Sequence, residues 1–152
     1  MDTKTETPFQ KSNQIIALLI LFLFFLIATL SSKKEKTPKG KLVGYYQIDK
    51  KTFGKWIRFF CIDLIGDLEE YKRKRTVSHT EYHLILSRLG NPSEYPTLTK
   101  KEIVEYGEGT YNSLRESIQK FPKLFGLPSY EAYLSLKKFP PNISHQILIQ
   151  FG

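Results

Sequence analysis

Lys51, Lys55 and Arg58 recur at i, i+4 and i+7, the spacing that places three side chains on one stripe of an α-helix. Phe53, Trp56, Ile57 and Phe60 form an opposing apolar stripe. Lys50 precedes the set, and Asp49 is the residue type that caps a helix starting there. Cations held outward on a rigid element offer fixed positive charge to phosphate oxygens, which is binding chemistry rather than bond-making chemistry. A solvated lysine-rich surface has the same pattern.

Residue types for bond-making are scarce. His79 and His83 stand at i, i+4 and could share a metal, but Glu81 falls on another face and His145 is over sixty residues away. A surface helix without metal is the expectation. Cys61 lies in an apolar stretch with no acid or base partner at a suggestive spacing, so it reads as core. As the only cysteine it has no partner for an intramolecular disulfide. The chain holds no P-loop, no G-x-G-x-x-G and no G-x-S-x-G. No enzyme, cofactor or metal is expected.

The elements that position these cations start from a basic chain. It has 152 residues, a formal charge of +8 and 41% hydrophobic residues, enough apolar material for one ordinary domain. Two short runs hold the excess charge. Lys33, Lys34, Lys36, Lys39 and Lys41, with Glu35, give +4, and Lys72–Arg75 give another +4. Such runs suit phosphate or anionic lipid. Acids at Asp67, Glu69 and Glu70 before the second run also suit a helix dipole with no partner.

Ile15–Leu30 carries no charge, glycine or proline. With its uncharged flanks the run makes about 31 Å of helix, which matches a hydrocarbon core of about 30 Å. A cleaved signal peptide is the alternative, but the run is long and Thr29-Leu30-Ser31 is a poor cleavage triplet. The five lysines after the run, against two before it, place the C-terminal part in the cytoplasm by the positive-inside rule. The same lysines are ready for anionic headgroups. The expected architecture is mostly α: a tail over 1–12, a single transmembrane helix over 13–32, a basic juxtamembrane linker over 33–41, and an all-α domain over 42–152. The expected location is the cell (inner) membrane.

Within that domain, caps and breakers predict helices over 50–63, 64–75, 78–89, 100–106, 110–121, 129–139 and 144–151. Thr99 with Glu102 has the form of a capping box. Residues 91–98 read as a loop, and only Leu42–Ile48 could be extended. Thr37-Pro38-Lys39-Gly40 should break any continuation of the transmembrane helix.

Residues 42–60 and 103–121 repeat at an offset of 61. Val43/Val104, Tyr45/Tyr106, Ile57/Ile118 and Phe60/Phe121 are identical, and the capping residues Asp49 and Thr110 coincide. The shared pattern over 42–60 and 99–121 resembles helix-turn-helix DNA-binding domains. Thr99-Lys-Lys-Glu-Ile103 with Leu114 and Ile118 carries it in the second copy, and Ile48-Asp-Lys-Lys-Thr-Phe53 with Trp56-Ile57 in the first. The turn glycine of that pattern is Gln47 in the first copy, and glycines flank Glu108 in the second.

The resemblance implies a second helix that enters the major groove, with Lys50, Lys51, Lys55 and Arg58 toward nucleic acid and Arg58 as the guanine reader. Asn112, Arg115 and Gln119 are the second copy's candidates, where Glu116 repels phosphate. Lys33, Lys34, Lys36, Lys39 and Lys41 are the candidates for anionic lipid. The expected activity is nucleic-acid binding at the membrane, as a regulator or DNA tether, with double-stranded DNA and the bilayer as partners. The alternative is a membrane-anchored accessory subunit that docks another membrane or cytoplasmic protein through Tyr45, Tyr46, Phe59, Tyr106, Tyr111, Tyr130 and Tyr133. A third reading is a helical domain exported after signal cleavage.

Overall fold

The computed structural model describes residues 36–152. The expected tail, the expected transmembrane helix, Lys33 and Lys34 lie outside the described residues. Among the described residues no helix is long and apolar enough to cross a membrane.

The described chain is mostly helical. Strand β1 (Lys36–Pro38) leads into α1 (Lys39–Tyr45), α2 (Lys50–Phe60), α3 (Ile62–Ile65) and α4 (Leu68–Arg73). Strand β2 (Thr76–Ser78) then precedes α5 (His79–Leu89). After a loop, β3 (Leu98–Thr99) leads into α6 (Lys100–Tyr106), α7 (Tyr111–Lys120), a 3-10 turn (Pro122–Phe125) and α8 (Tyr130–Ser135). Strand β4 (Lys138–Phe139) precedes α9 (Pro141–Phe151).

This order is one unit written twice. Adding 61 to the bounds of α1 gives α6, and adding 62 to those of α4 and α5 gives α8 and α9. The strand pairs keep the same register. Thr37 faces Val77 and Pro38 faces Thr76, while Leu98 faces Phe139 and Thr99 faces Lys138. The turns also match: Gln47 and Glu108 both have φ of 51°, in the left-handed region that bulkier residues rarely adopt. Ile48 N donates to Val43 O, and Gly109 N to Val104 O, across these turns. The strain of a non-glycine residue is thus accepted twice at one position. Gly66 and Gly126, with φ of 71° and 72°, close the short helical turns that follow.

A lysine is also duplicated as an internal brace. Lys39 Nζ lies 4.3 Å from the centre of the Tyr71 ring and donates to Tyr71 O at 2.6 Å. Lys100 Nζ lies 4.4 Å from the centre of the Tyr133 ring. A cation over an aromatic face is stabilised by the ring quadrupole, and a carbonyl at a helix end adds to it.

The two halves share one core. Leu42, Trp56, Ile57, Ile85 and Leu89 from the first half pack in one cluster with Ile103, Leu114, Ile118, Phe139 and Ile147 from the second. Trp56 Nε1 donates to Lys138 O at 2.8 Å, which ties α2 to β4. The period of the apolar stripe on α2 is the reason that helix lies where it does, since Phe53, Trp56, Ile57 and Phe60 are all buried.

Several expectations change. Lys36, Lys39 and Lys41 lie in β1 and α1 rather than in a linker. Residues 36–38 form β1, so no helix continues through this stretch, and Pro38 directly precedes a new helix. It occupies the N-cap with φ of −59°, where the missing N–H costs nothing. The segment Leu42–Ile48 is therefore mostly helix. The helix expected over 50–63 ends at Phe60, and the one over 64–75 is divided at Gly66 by its positive φ, with Asp67 capping α4. The helix expected to reach 139 stops at Ser135, because Lys138–Phe139 pairs with β3. The last helix starts at Pro141, not at 144, again with proline in the first turn.

Candidate nucleic-acid interface

The α2 helix starts at a firm cap. Asp49 accepts from Thr52 N at 2.9 Å and from Thr52 Oγ1 at 2.6 Å, and these bonds hold its carboxyl below the usual carboxylate range. From there the exposed residues of α2 are Lys50, Lys51, Gly54 and Arg58. The expected stripe of Lys51, Lys55 and Arg58 is therefore displaced at its middle member. Lys55 is half-buried, and its Nζ donates to Ser135 O at 2.6 Å, at the C-terminal end of α8. Arg58 stays exposed but approaches Glu131 of α8, with Nη2 4.0 Å from Oε1. The second half of the fold thus covers one flank of α2.

The other flank faces α4. One stretch of groove is lined by Gly40 and Val43 of α1, Lys50 and Gly54 of α2, and Lys72, Lys74 and Arg75 at the end of α4. A second stretch runs between Lys51, Gly54 and Arg58 on one side and Leu68, Glu69 and Lys72 on the other. Gly54, Tyr71 and Lys72 belong to both stretches, so the two adjoin along α2. A side chain at Gly40 or Gly54 would meet nothing within 4 Å. The backbone is therefore open on the groove surface.

The fold brings together the α2 cations and the run Lys72–Arg75, far apart in the chain. The β1–β2 pair does this, and Lys39 N donates to Arg75 O beside it at 3.1 Å. Some of this charge is already engaged. Lys72 pairs with Glu69 at 2.6 Å, and Lys74 with Glu70 at 2.9 Å and Glu81 at 3.6 Å. Both glutamates, with the hydrogen bond from Lys74 to Glu70 as the largest cause, hold the Lys74 ammonium above its ordinary value. Among the described residues Lys50, Lys51 and Arg75 have no carboxylate within 4.0 Å.

The remaining candidates fall in three places. Lys36 and Lys41 are exposed, as a lipid contact requires, whereas Lys39 is turned inward onto Tyr71. Burial, then the charge of Lys74, pulls its pKa down. In the second half, Asn112, Arg115 and Gln119 are exposed on α7. Arg115, the counterpart of Gly54, turns its Nε to Tyr130 Oη at 2.8 Å. Tyr111, Asn112 and Leu134 replace Lys50, Lys51 and Lys72. The second half repeats these elements without those three cations and keeps a basic residue, Lys137, at the place of Arg75.

Gly54, Lys72 and Arg75 were not singled out with α2 by their spacing. The charge run itself was legible, but its neighbour was not. Among the described residues no group of three or more metal-ligating side chains occurs. No family model matches the sequence, and no curated protein or solved structure shows significant similarity to it.

Proposed function

We propose that this is a membrane-anchored protein that binds nucleic acid through the first half of its folded body. One observation carries the reading. Two halves with closely similar backbones differ in charge at equivalent positions: Lys50, Lys51, Arg58 and Lys72 surround the second helix of the first half where the other half has Tyr111, Asn112, Gln119 and Leu134, while Arg75 keeps a basic counterpart in Lys137. A structural need for these cations would be met in both halves. Concentrated positive charge on one half is what the phosphate backbone selects.

The anchor is the apolar run Ile15–Leu30, and the lysines after it favour a cytoplasmic folded body by the positive-inside rule. Lys33, Lys34, Lys36 and Lys41 suit anionic headgroups on that side. The protein then acts as a regulator or tether of nucleic acid at the bilayer, by electrostatic docking without catalysis.

The test uses the full chain in a nonionic detergent. Wild type retards labelled DNA at low salt, and the Lys50→Glu, Lys51→Glu double variant does not. The substitutions fall in the first turn of α2, where acids suit the helix dipole, so the fold is not at stake. Wild type that never retards nucleic acid ends this reading.

A second reading draws on the other half. Tyr106, Tyr111, Phe121, Leu124, Leu134 and Ile149 are all at least half exposed there. A surface this apolar fits an accessory subunit that docks a protein, and a stoichiometric complex insensitive to salt would select it.

A further inference from the structure

The geometry points to the groove between α2 and α4 as a track for one sugar–phosphate backbone, gripped lengthwise and read without regard to base sequence. This rests on the nucleic-acid reading above and narrows it, because a recognition helix inserted in a duplex is a different mode.

Insertion needs a helix with free flanks. A helix with its side chains is about 10–12 Å across, which already fills a major groove about 12 Å wide. On α2 one flank is bonded to the second half through Lys55 and Trp56. The other is lined by Leu68, Glu69 and Lys72 of α4 across the groove. Lys55 and Arg58, the side chains best placed to reach base edges, are directed to Ser135 O and Glu131.

The groove itself suits a strand. Lys50, Lys51 and Arg58 stand on one wall, and Lys72 and Arg75 on the other. Gly54 between them leaves the floor open, with nothing within 4 Å of the position a Cβ would take. From Lys50 to Arg58 the helix advances about 12 Å, which spans about two or three successive phosphates of an extended strand. Phe53 and Tyr71 line the groove yet are only 4% and 5% exposed, so neither offers a ring face for stacking. A grip of phosphates without stacked or paired bases carries no sequence information.

The second half supplies the contrast. It keeps the backbone but fills the place of Gly54 with Arg115, bonded to Tyr130, and the place of Lys72 with Leu134. An open cationic track is therefore not a consequence of the fold alone.

The experiment measures anisotropy of labelled oligonucleotides with the full chain in nonionic detergent at about 50 mM salt. The probes are an oligothymidylate, a mixed-sequence single strand, and that strand as a duplex. The single strands are expected to bind about tenfold tighter than the duplex and within about twofold of each other. Gly54→Ala and Gly54→Leu should weaken single-strand binding progressively, by about tenfold for leucine, with melting unchanged or raised because both residues favour an exposed helix over glycine. A duplex bound tighter than its single strand, a strong sequence preference, or Gly54→Leu binding like wild type overturns the track and leaves the nucleic-acid reading standing. Failure of every oligonucleotide to bind, including a case where only vesicles of anionic lipid are bound, overturns both.

Discussion

Neutralising Lys50 and Lys51 with glutamine changes the salt dependence of binding by an amount the groove dictates. Lys50, Lys51 and Arg75 have no carboxylate partner among the described residues, and Lys72 can exchange Glu69 for a phosphate. About four phosphate contacts at roughly −0.7 each give a slope of log affinity against log salt near −3 for a single strand. Raising salt from about 50 to 200 mM then weakens wild type about 50-fold. Removing two contacts halves the slope, and the same salt change weakens the variant only about sevenfold. Glutamine is close to lysine in helix propensity, so the comparison isolates charge. The assay is anisotropy of a labelled single strand across a salt series, with the melting curve of each protein as a check on folding. A variant slope equal to that of wild type refutes the assignment of these two lysines to phosphate.

Three further outcomes concern the fold that holds the groove. The Tyr71 hydroxyl is buried with no hydrogen-bond partner among the described residues, so Tyr71→Phe should be neutral or stabilising by up to about 1 kcal/mol in thermal melting; a clear loss of stability would mean that the hydroxyl has a partner. Cys61 is fully buried and its thiol is pushed up to about 12 by burial, so a thiol reagent at mildly alkaline pH should react only as fast as the protein opens. Rapid stoichiometric labelling of the native protein would contradict this burial. Glu81 and Glu102 accept the backbone N–H groups of Ser78 and Thr99, at 2.7 Å in both cases, and those bonds hold both carboxyls below their ordinary value of 4.5. Their contribution is complete above that value and is lost as pH falls through the lowered folded values, so melting temperature should be flat from neutral pH down to about 5 and drop below it. Glu81→Gln with Glu102→Gln should shallow the drop, and a decline that begins nearer neutrality would show that other groups control acid stability.

What could be read from the residues divides by range. Asp49, Thr99 and Thr110 announce their helices because capping is settled within four residues, while Ser78 and Thr80 were both possible caps for α5 and Ser78 takes the place; all four capping side chains accept the backbone bond. The repeat was visible over 42–60 because its offset is constant there. Farther on, Gly66 matches Gly126 at 60, while Asp67 matches the capping Ser129 at 62, and the slip hides Tyr71/Tyr133, Ile85/Ile147 and Leu86/Leu148. The four strands are two or three residues long, too short to show alternation. Helical projection placed Lys55 away from the core stripe of its own helix. It could not show that α8 of the other half would lie across that face, since such a neighbour is set by packing of the whole body. The meeting of Lys72–Arg75 with α2 likewise depends on the β1–β2 pairing, some forty residues apart in the chain.

Because the same backbone path is traced twice within one polypeptide, each half serves as a matched blank for the other. Temperature, solvent, expression and oligomeric state are common to both, so a difference in ligand response between equivalent positions traces to the side chains and to the one stretch where the paths part, Ile62–Ile65 against Pro122–Phe125. The pairing also gives selection a spare surface: one copy can drift in its exterior residues while the joint interior keeps both folded.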